Sequence, residues 1–413
     1  LIFVLILLCI FAPLGQTQAA FGTPPAHLAV PGVLAASEYN PALAGAAPYK
    51  FQLEVDLLGL NLWTNAWTVN QIVENINSYW DDEIKAELLG AIKGNSLKAG
   101  TNLRSGLYLG IGKVNLASRL KGDATIGLDK DFFDVILNGL AIDELDLNLS
   151  DTFVTGSLLL DNSLSYSFSL QSFADELGWE DFQIGAGLHY IYGLAWGNMK
   201  PEGDITLKFN EEDYSLAGNA KARALYSFIG EKGGGHGFAV DLGAWAQYSP
   251  KLSFGLALTN LGAVRWDGVY ETSFQGNFKI PHPLLSEDGD DPFEFETEEV
   301  VNQPHDPVWW ATPMALKGSV HYIALPRIHL LGAAGYNGAP TPNFFASVGS
   351  RFFYPKFLPL TVTLDYESHK GTLAMSASLG LHIGGWEVLN LTLSDVMIAG
   401  GNGKEAALFI NTA

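Results

Sequence analysis

The densest chemistry in the chain is a run of carboxylates. Residues 287–299, EDGDDPFEFETEE, hold Glu287, Asp288, Asp290, Asp291, Glu294, Glu296, Glu298 and Glu299, eight acids in thirteen residues. Hard cations such as Ca²⁺ take several convergent carboxylate oxygens, but this spacing is not that of an EF-hand loop. The run reads first as a solvated exterior loop and second as a Ca²⁺ site. The nine histidines are scattered, with no Gly-x-Ser-x-Gly, His-Glu-x-x-His or phosphate-binding loop near them. Catalysis would need a nucleophile beside a histidine on neighbouring strands, which no local motif marks. The expectation is a protein that is not an enzyme and has no cofactor.

The elements that would carry these residues are mostly extended. In residues 236–262, HGFAVDLGAWAQYSPKLSFGLALTNLG, the residues Phe238, Val240, Leu242, Ala244 and Ala246 share one parity, against Gly237, Ala239, Asp241, Gly243 and Gln247. After Ser249 and Pro250, Leu252, Phe254, Leu256 and Leu258 alternate with Ser253, Gly255, Ala257 and Thr259. That is a hairpin with one apolar and one small or polar face. The same alternation runs through residues 163–171, 184–197, 361–367 and 372–383; in the second of these, Ile184, Leu188, Tyr192, Leu194 and Trp196 are assigned one face.

Composition bears on what the apolar face touches. The chain has 413 residues, 45 of them Gly, 24 Phe, 15 Tyr and 10 Trp, and only 16% are charged. Mean hydropathy is +0.14. Few charges and many aromatics suit strands that show one face to lipid and one to water, and a soluble sandwich would carry Lys, Glu and Arg on its outer faces instead of Ser, Thr and Gly. The reading is all-β: an antiparallel transmembrane β-barrel of about 14 strands, range about 12–16, with a small helical plug or cap near the N-terminus. Its first partner is outer-membrane lipid. With 23 basic and 44 acidic residues the net charge is −21, which excludes nucleic acid as a partner.

Residues 1–14, LIFVLILLCIFAPL, followed by small residues around Ala19 and Ala20, read as a secretory signal peptide spanning 1–20, with no Met or basic stretch before it. Cys9, the single cysteine, lies within it, preceded by Leu8 where a lipoprotein would have a small residue. Residues 21–48 read as an irregular segment and 49–413 as the barrel. Connections alternate between short ones (Ser249 and Pro250; residues 369–371) and long ones, the longest being a loop over residues 281–308.

Residues 65–98 change period. Ile72, Ile76 and Tyr79 mark one helix, and Ile84, Leu88 and Ile92 a second, with Asp81 or Asp82 as its cap and Gly94 as its stop. A shorter helix is expected at residues 129–138. The plug candidates are Trp63, Trp67, Ile72, Ile76, Trp80, Ile84 and Leu88, with residues 21–48 and 65–98 expected to occlude the periplasmic end or the interior. The lumen candidates are Asp241, Trp245, His189, His321 and His382. Trp245 is a large ring on the inward parity, which calls for a filled lumen or a register-resetting bulge.

Residues 38–45, EYNPALAG, resemble the Asn-Pro-Ala segment of FadL-like and PorV-like outer-membrane barrels. Together with residues 132–152, 185–197 and 240–268, they resemble a family of uncharacterised bacterial outer-membrane barrels. The resemblance implies an outer-membrane location and supplies no substrate. Two functions are therefore expected: a plugged channel for passive transport of a hydrophobic or small amphipathic molecule, or a PorV-like scaffold binding secretion or surface proteins through its outer loops.

Overall fold

The structure, a computed structural model, describes residues 25–28, 31, 34–46, 51–67, 71, 81–92, 94–138, 144–210, 215–230, 233–280, 294–338, 342–353, 357–368, 372–383, 386–394 and 405–412. Twenty strands occur among them. In chain order they are β1 (Phe51–Thr64), β2 (Ser96–Ile111), β3 (Val114–Asp129), β4 (Glu144–Asn148), β5 (Phe153–Ser169), β6 (Asp181–Pro201) and β7 (Asp204–Asn210). There follow β8 (Ser215–Phe228), β9 (Gly234–Ser249), β10 (Leu252–Asp267), β11 (Val269–Ile280), β12 (Glu294–His305), β13 (Val308–Ala311) and β14 (Ala315–Leu325). The last are β15 (Ile328–Asn337), β16 (Asn343–Phe352), β17 (Leu360–Glu367), β18 (Thr372–Ile383), β19 (Trp386–Ser394) and β20 (Glu405–Thr412).

Fourteen of these strands close a ring. Antiparallel pairing runs β1, β2, β3, β5, β6, β9, β10, β14, β15, β16, β17, β18, β19, β20 and back to β1. Closure leaves no edge in the ring itself. The expected barrel of about 14 strands is therefore present. The other strands extend the wall at one end: β8 continues the pairing of β6, β13 continues that of β10, and β4, β7, β11 and β12 add to β8.

Alternation sorts the two faces. Phe238, Leu242, Leu256, Leu188, Leu164 and Leu373 are exposed on the outside, whereas Ser165, Ser167, Ser253, Thr259 and Ser376 are buried on the inside. An apolar outer belt over a polar interior is the pattern of a transmembrane barrel. No helix among the described residues is long and apolar enough to cross a membrane.

Bulges reset the parity, and two of them lie beside the inner aromatic cluster. Between Leu158 and Leu159 the pairing of β5 with β6 jumps from Ala195 to Gly193, skipping Leu194. Trp196 therefore does not share the outward face of Ile184; it is buried and stacks on Trp266, with ring centroids 6.0 Å apart. In β10 the register shifts between Leu258 and Leu261, at Asn260, whose φ is +59°. Beyond it Val264 and Trp266 turn inward and are fully buried. A bulge adds one residue to one strand, so every side chain beyond it changes face.

The expected loop over 281–308 is corrected. Residues 294–305 form β12, an extended arm paired antiparallel with β11. The segment 287–293 lies outside the described residues, and so do residues 1–20, where a signal peptide is expected. The asymmetry of connection length holds for half the ring only. Residues 250–251 and 369–371, both short, join strands at opposite ends of the barrel.

Candidate functional site: the occupied lumen

The barrel interior is occupied by the segment that precedes β1. Residues 34–46 comprise a single helical turn, Ala36–Tyr39, and a 3₁₀ turn, Pro41–Gly45. The sequence reading of this stretch is irregular; its described residues form two short turns, the second capped by a side chain. Asn40 joins them. Its Oδ1 accepts from Ala42 N at 3.0 Å and its Nδ2 donates to Ala244 O of β9 at 2.8 Å. Pro41 opens the 3₁₀ turn, where a missing N–H is no loss. The Asn-Pro-Ala sequence thus caps a turn and fastens it to the wall.

The wall makes room with glycine. A Cβ at Gly185 would come 2.3 Å from Ala42 N, one at Gly243 would come 2.0 Å from Asn40 Oδ1, and one at Gly110 would come 2.5 Å from Leu34 Cδ2. Small residues on the inward parity of β2, β6 and β9 are what allow backbone to approach the strands. Trp245, 5% exposed, packs on Ala36, Ala42 and Leu43. Its inward direction is explained by a filled lumen, since no bulge lies between it and Asp241.

Polar contacts hold the segment on opposite sides of the ring. Leu34 N donates to Glu54 Oε2 of β1 at 2.6 Å, Asn115 Nδ2 of β3 donates to Leu34 O at 3.0 Å, and Ser167 Oγ of β5 donates to Ala42 O at 3.0 Å. Tyr39 OH donates to Gly318 O of β14 at 2.8 Å, and Lys317 Nζ donates to Glu38 O at 3.2 Å. Burial pushes the Tyr39 phenol well above its ordinary pKa, so it stays a neutral donor.

Glu38 is the ionic centre. Its Oε1 lies 2.8 Å from Arg104 Nη2 and 2.9 Å from Arg119 Nη1, and accepts from Tyr108 OH at 2.5 Å. Tyr108 also contacts Arg104. Burial acts to raise the Glu38 pKa, but Arg104, Arg119 and Lys121 overcome it and hold the carboxyl well below the usual carboxylate range. The network continues outward. Arg119 Nη2 and Lys121 Nζ reach Asp161 Oδ2 at 2.9 and 2.8 Å. His189 bridges Asp161 and Asp241, with its Nδ1 2.9 Å from the first and its Nε2 2.9 Å from the second. Asp241 Oδ1 accepts from Asn260 N at 2.6 Å, tying the network to the β10 bulge.

On the side of this network away from residues 40–46 lies a cavity. Its lining includes Glu38, Arg119, Asp123, Leu159, Ile191 and Trp310. Charged side chains form its floor. Beyond it, Trp196, Val264, Trp266, Val269 and Trp310 pack as an inner apolar cluster.

The sequence candidates are distributed unevenly. Asp241, His189 and Trp245 lie in the occupied lumen. His321 faces inward but sits near the turn 326–327, hydrogen-bonded to His329 at 3.0 Å, apart from the network. The side chain of His382 lies outside the described residues, as do Ile72, Ile76 and Trp80. Trp63 is buried at the end of β1, where a Cβ on Gly100 would meet its ring at 2.7 Å. Trp67, Leu88 and Ile92 form a cluster with Phe133 and Leu137, partly covered by Ile84; Trp67 Nε1 donates to Leu88 O at 3.0 Å. The helix behind it, Asp82–Ala91, is capped by Asp81 as expected, and a second, Lys130–Asn138, matches the other helical expectation.

These helices connect β1 to β2 and follow β3. They therefore sit at the end of the barrel opposite Phe51 and Thr412. The expected helical cap near the N-terminus is present as Asp82–Ala91, and residues 68–70 and 72–80 of the same stretch lie outside the described residues. Among the described residues, Trp67, Leu88 and Ile92 of this stretch pack on Phe133 and Leu137. Glu38, Arg104, Arg119 and Asp161 were missed, because nothing local links a glutamate at 38 to arginines at 104 and 119. The available signal was an inward parity on β3 that carries Arg119, Lys121 and Asp123 in alternation. Among the described residues no group of three or more His, Cys, Asp or Glu side chains is arranged to hold a metal ion.

A closed antiparallel ring with an apolar exterior, filled by its own N-terminal segment, defines a plugged transmembrane β-barrel. The chain belongs to a family of unknown function, DUF5723, which it matches over residues 41–395. No curated protein sequence matches it. Among solved structures it is similar to the toluene transporter TbuX of Ralstonia pickettii, at 12% identity and a TM-score of 0.45, covering 97% of this chain and 94% of that one. It is similar to the toluene transporter TodX of P. putida at 9% identity and a TM-score of 0.48, covering 96% and 97%. A Pseudomonas aeruginosa FadL homologue matches at 12% identity and a TM-score of 0.35, covering 97% and 96%. At that level of likeness the strand pairing, and not the neighbours, defines the fold.

Proposed function

We propose that this protein is a channel of the bacterial outer membrane, closed at rest by residues 34–46, that passes a small amphipathic molecule by diffusion. The carrying observation is the way the plug is held. It is bound to the wall by hydrogen bonds and one ionic centre, Glu38 with Arg104 and Arg119, beside two apolar contacts, Leu34, Ala35 and Tyr39 with Leu331 and Phe345, and Ala36, Ala42 and Leu43 with Trp245. The polar and ionic part of that attachment can be exchanged for water when the segment moves. With the short turns facing the periplasm, as is usual for such barrels, the plug lies toward the periplasmic side and the cavity toward the exterior. The cavity joins charged groups to Leu159, Ile191 and Trp310, which suits a molecule with one polar and one apolar end.

Single-channel recording in planar bilayers tests this. A chain lacking residues 25–46 should show a large, steady conductance where the full chain shows rare openings. Equal conductance of the two chains would overturn the channel reading.

A further inference from the structure

Charges on the lumen-facing side of β3 alternate outward from the plug, and the last one is unmatched. Arg119 meets Glu38 and Asp161, and Lys121 Nζ lies 2.8 Å from Asp161 Oδ2. The next inward residue, Asp123, is 5% exposed and lines the cavity. Its Oδ1 accepts from Ser157 Oγ at 3.2 Å, and its Oδ2 has no hydrogen-bond donor among the described residues. Its cross-strand neighbours, Asn102 on β2 and Ser157 on β5, are neutral. No cation among the described residues pairs with it, since the nearest on its strand, Lys121, is engaged by Asp161.

A carboxylate taken out of water with one hydroxyl for company carries most of its desolvation penalty uncompensated. The missing element is a cation bearing hydrogen-bond donors. We propose that the cavity is a binding site for a small amphipathic organic cation, whose ammonium donates to Asp123 Oδ2 and whose apolar body lies against Leu159, Ile191 and Trp310. This rests on the channel reading above and names the class of molecule the channel takes. Charge agrees with it: 44 acidic against 23 basic residues make the protein a net attractor of cations. An anion would meet Asp123 directly, and a neutral alcohol would supply a donor without the charge.

The experiment is calorimetry on the full detergent-solubilised chain with three probes of one shape: 2-phenylethylammonium, 2-phenylethanol and phenylacetate. The ammonium should bind at least about tenfold more tightly than the other two, the usual scale of one charged hydrogen bond. Asp123→Asn should remove that advantage and leave 2-phenylethanol binding unchanged. Retained heat-modifiable migration on gels shows that the variant barrel is folded. Should the variant not fold, the ranking of the three probes on the unmodified chain decides. Equal or tighter phenylacetate binding, absence of binding by all three, or an Asp123→Asn chain that keeps the ammonium preference would overturn the proposal. The channel reading fails separately: ammonium selectivity without any conductance after deletion of 25–46 would sink the channel and keep the site.

Discussion

Glu38 Oε1 lies 2.9 Å from Arg119 Nη1, with the two side chains 7% and 1% exposed, so a residue of the plug and a residue of the wall share one buried ion pair. Arg119 also holds Asp161, and Asp161 is held by Lys121 and His189. The plug is thereby joined to an ionic network that belongs to the barrel, and releasing it exchanges one set of partners without dismantling the rest.

Glu38→Gln should loosen the plug without unfolding the barrel. Arg104 keeps Asp56 at 3.1 Å and Arg119 keeps Asp161, so neither guanidinium is abandoned. The cost should be on the order of 1–3 kcal/mol, below the roughly 3–5 kcal/mol of stranding a buried charge. Planar-bilayer recording should show more frequent openings at an unchanged thermal midpoint of the barrel.

Acid should not open the plug across the mild range. The Glu38 carboxyl is held well below the ordinary value, so its contribution is fully present above the unfolded carboxyl pKa of about 4.3 and is lost only as pH falls through the depressed folded value. In a Ser37→Cys chain, maleimide labelling of this buried position should be equally slow at about pH 7.5 and about pH 5 once corrected for thiolate fraction. A sharp rise between them would show that Glu38 does not govern the closed state.

Gly185→Val should expel the 3₁₀ turn. The added Cβ would lie 2.3 Å from Ala42 N, a backbone atom that can yield only if the turn moves. Overpacking of this kind costs about 1–3 kcal/mol, which corresponds to about fivefold or more in opening. Labelling of Ser37→Cys should accelerate accordingly. Gly90→Val, where no atom lies within 4 Å, is the control on space.

Leu256→Arg should destabilise the inserted barrel by about 2–4 kcal/mol, as a charge near the middle of a lipid-facing belt does, while Leu256→Ala should be tolerated. Leu256 is 58% exposed on the outer face, so little protein packing is lost. Denaturant unfolding from vesicles measures both. A small cost for arginine would place this face against protein or water instead of lipid.

Asn260→Val should disturb the inner aromatic cluster from a distance. Asn260 has φ +59°, a region that costs a β-branched residue on the order of 1–2 kcal/mol. Its bulge is what directs Trp266 inward onto Trp196. The near-ultraviolet circular dichroism of the stacked tryptophans should weaken while the far-ultraviolet strand signal persists.

What the residues alone determined is the barrel and its two faces. Alternation with period two is a property of neighbours in the chain, so Phe238, Val240 and Leu242 could be placed outward and Asp241 inward without knowing what lay opposite. Capping is equally local, and Asp81 and its helix were legible for that reason. Strand number followed from counting such runs. Tertiary structure decided the rest, because its causes join distant positions: Ala26 to Ser347, Tyr39 to Gly318, Glu38 to Arg119. Parity fails wherever one extra residue enters a strand, as at Leu194 and Asn260, and the bulge shows only when the partner strand is in place. The inner segment is short and its turns are too brief to announce themselves, so its place in the lumen comes from glycines on strands far along the chain, Gly185 and Gly243 among them. The period of a strand is written in adjacent side chains; the contents of a barrel are written in the closure of the ring around them.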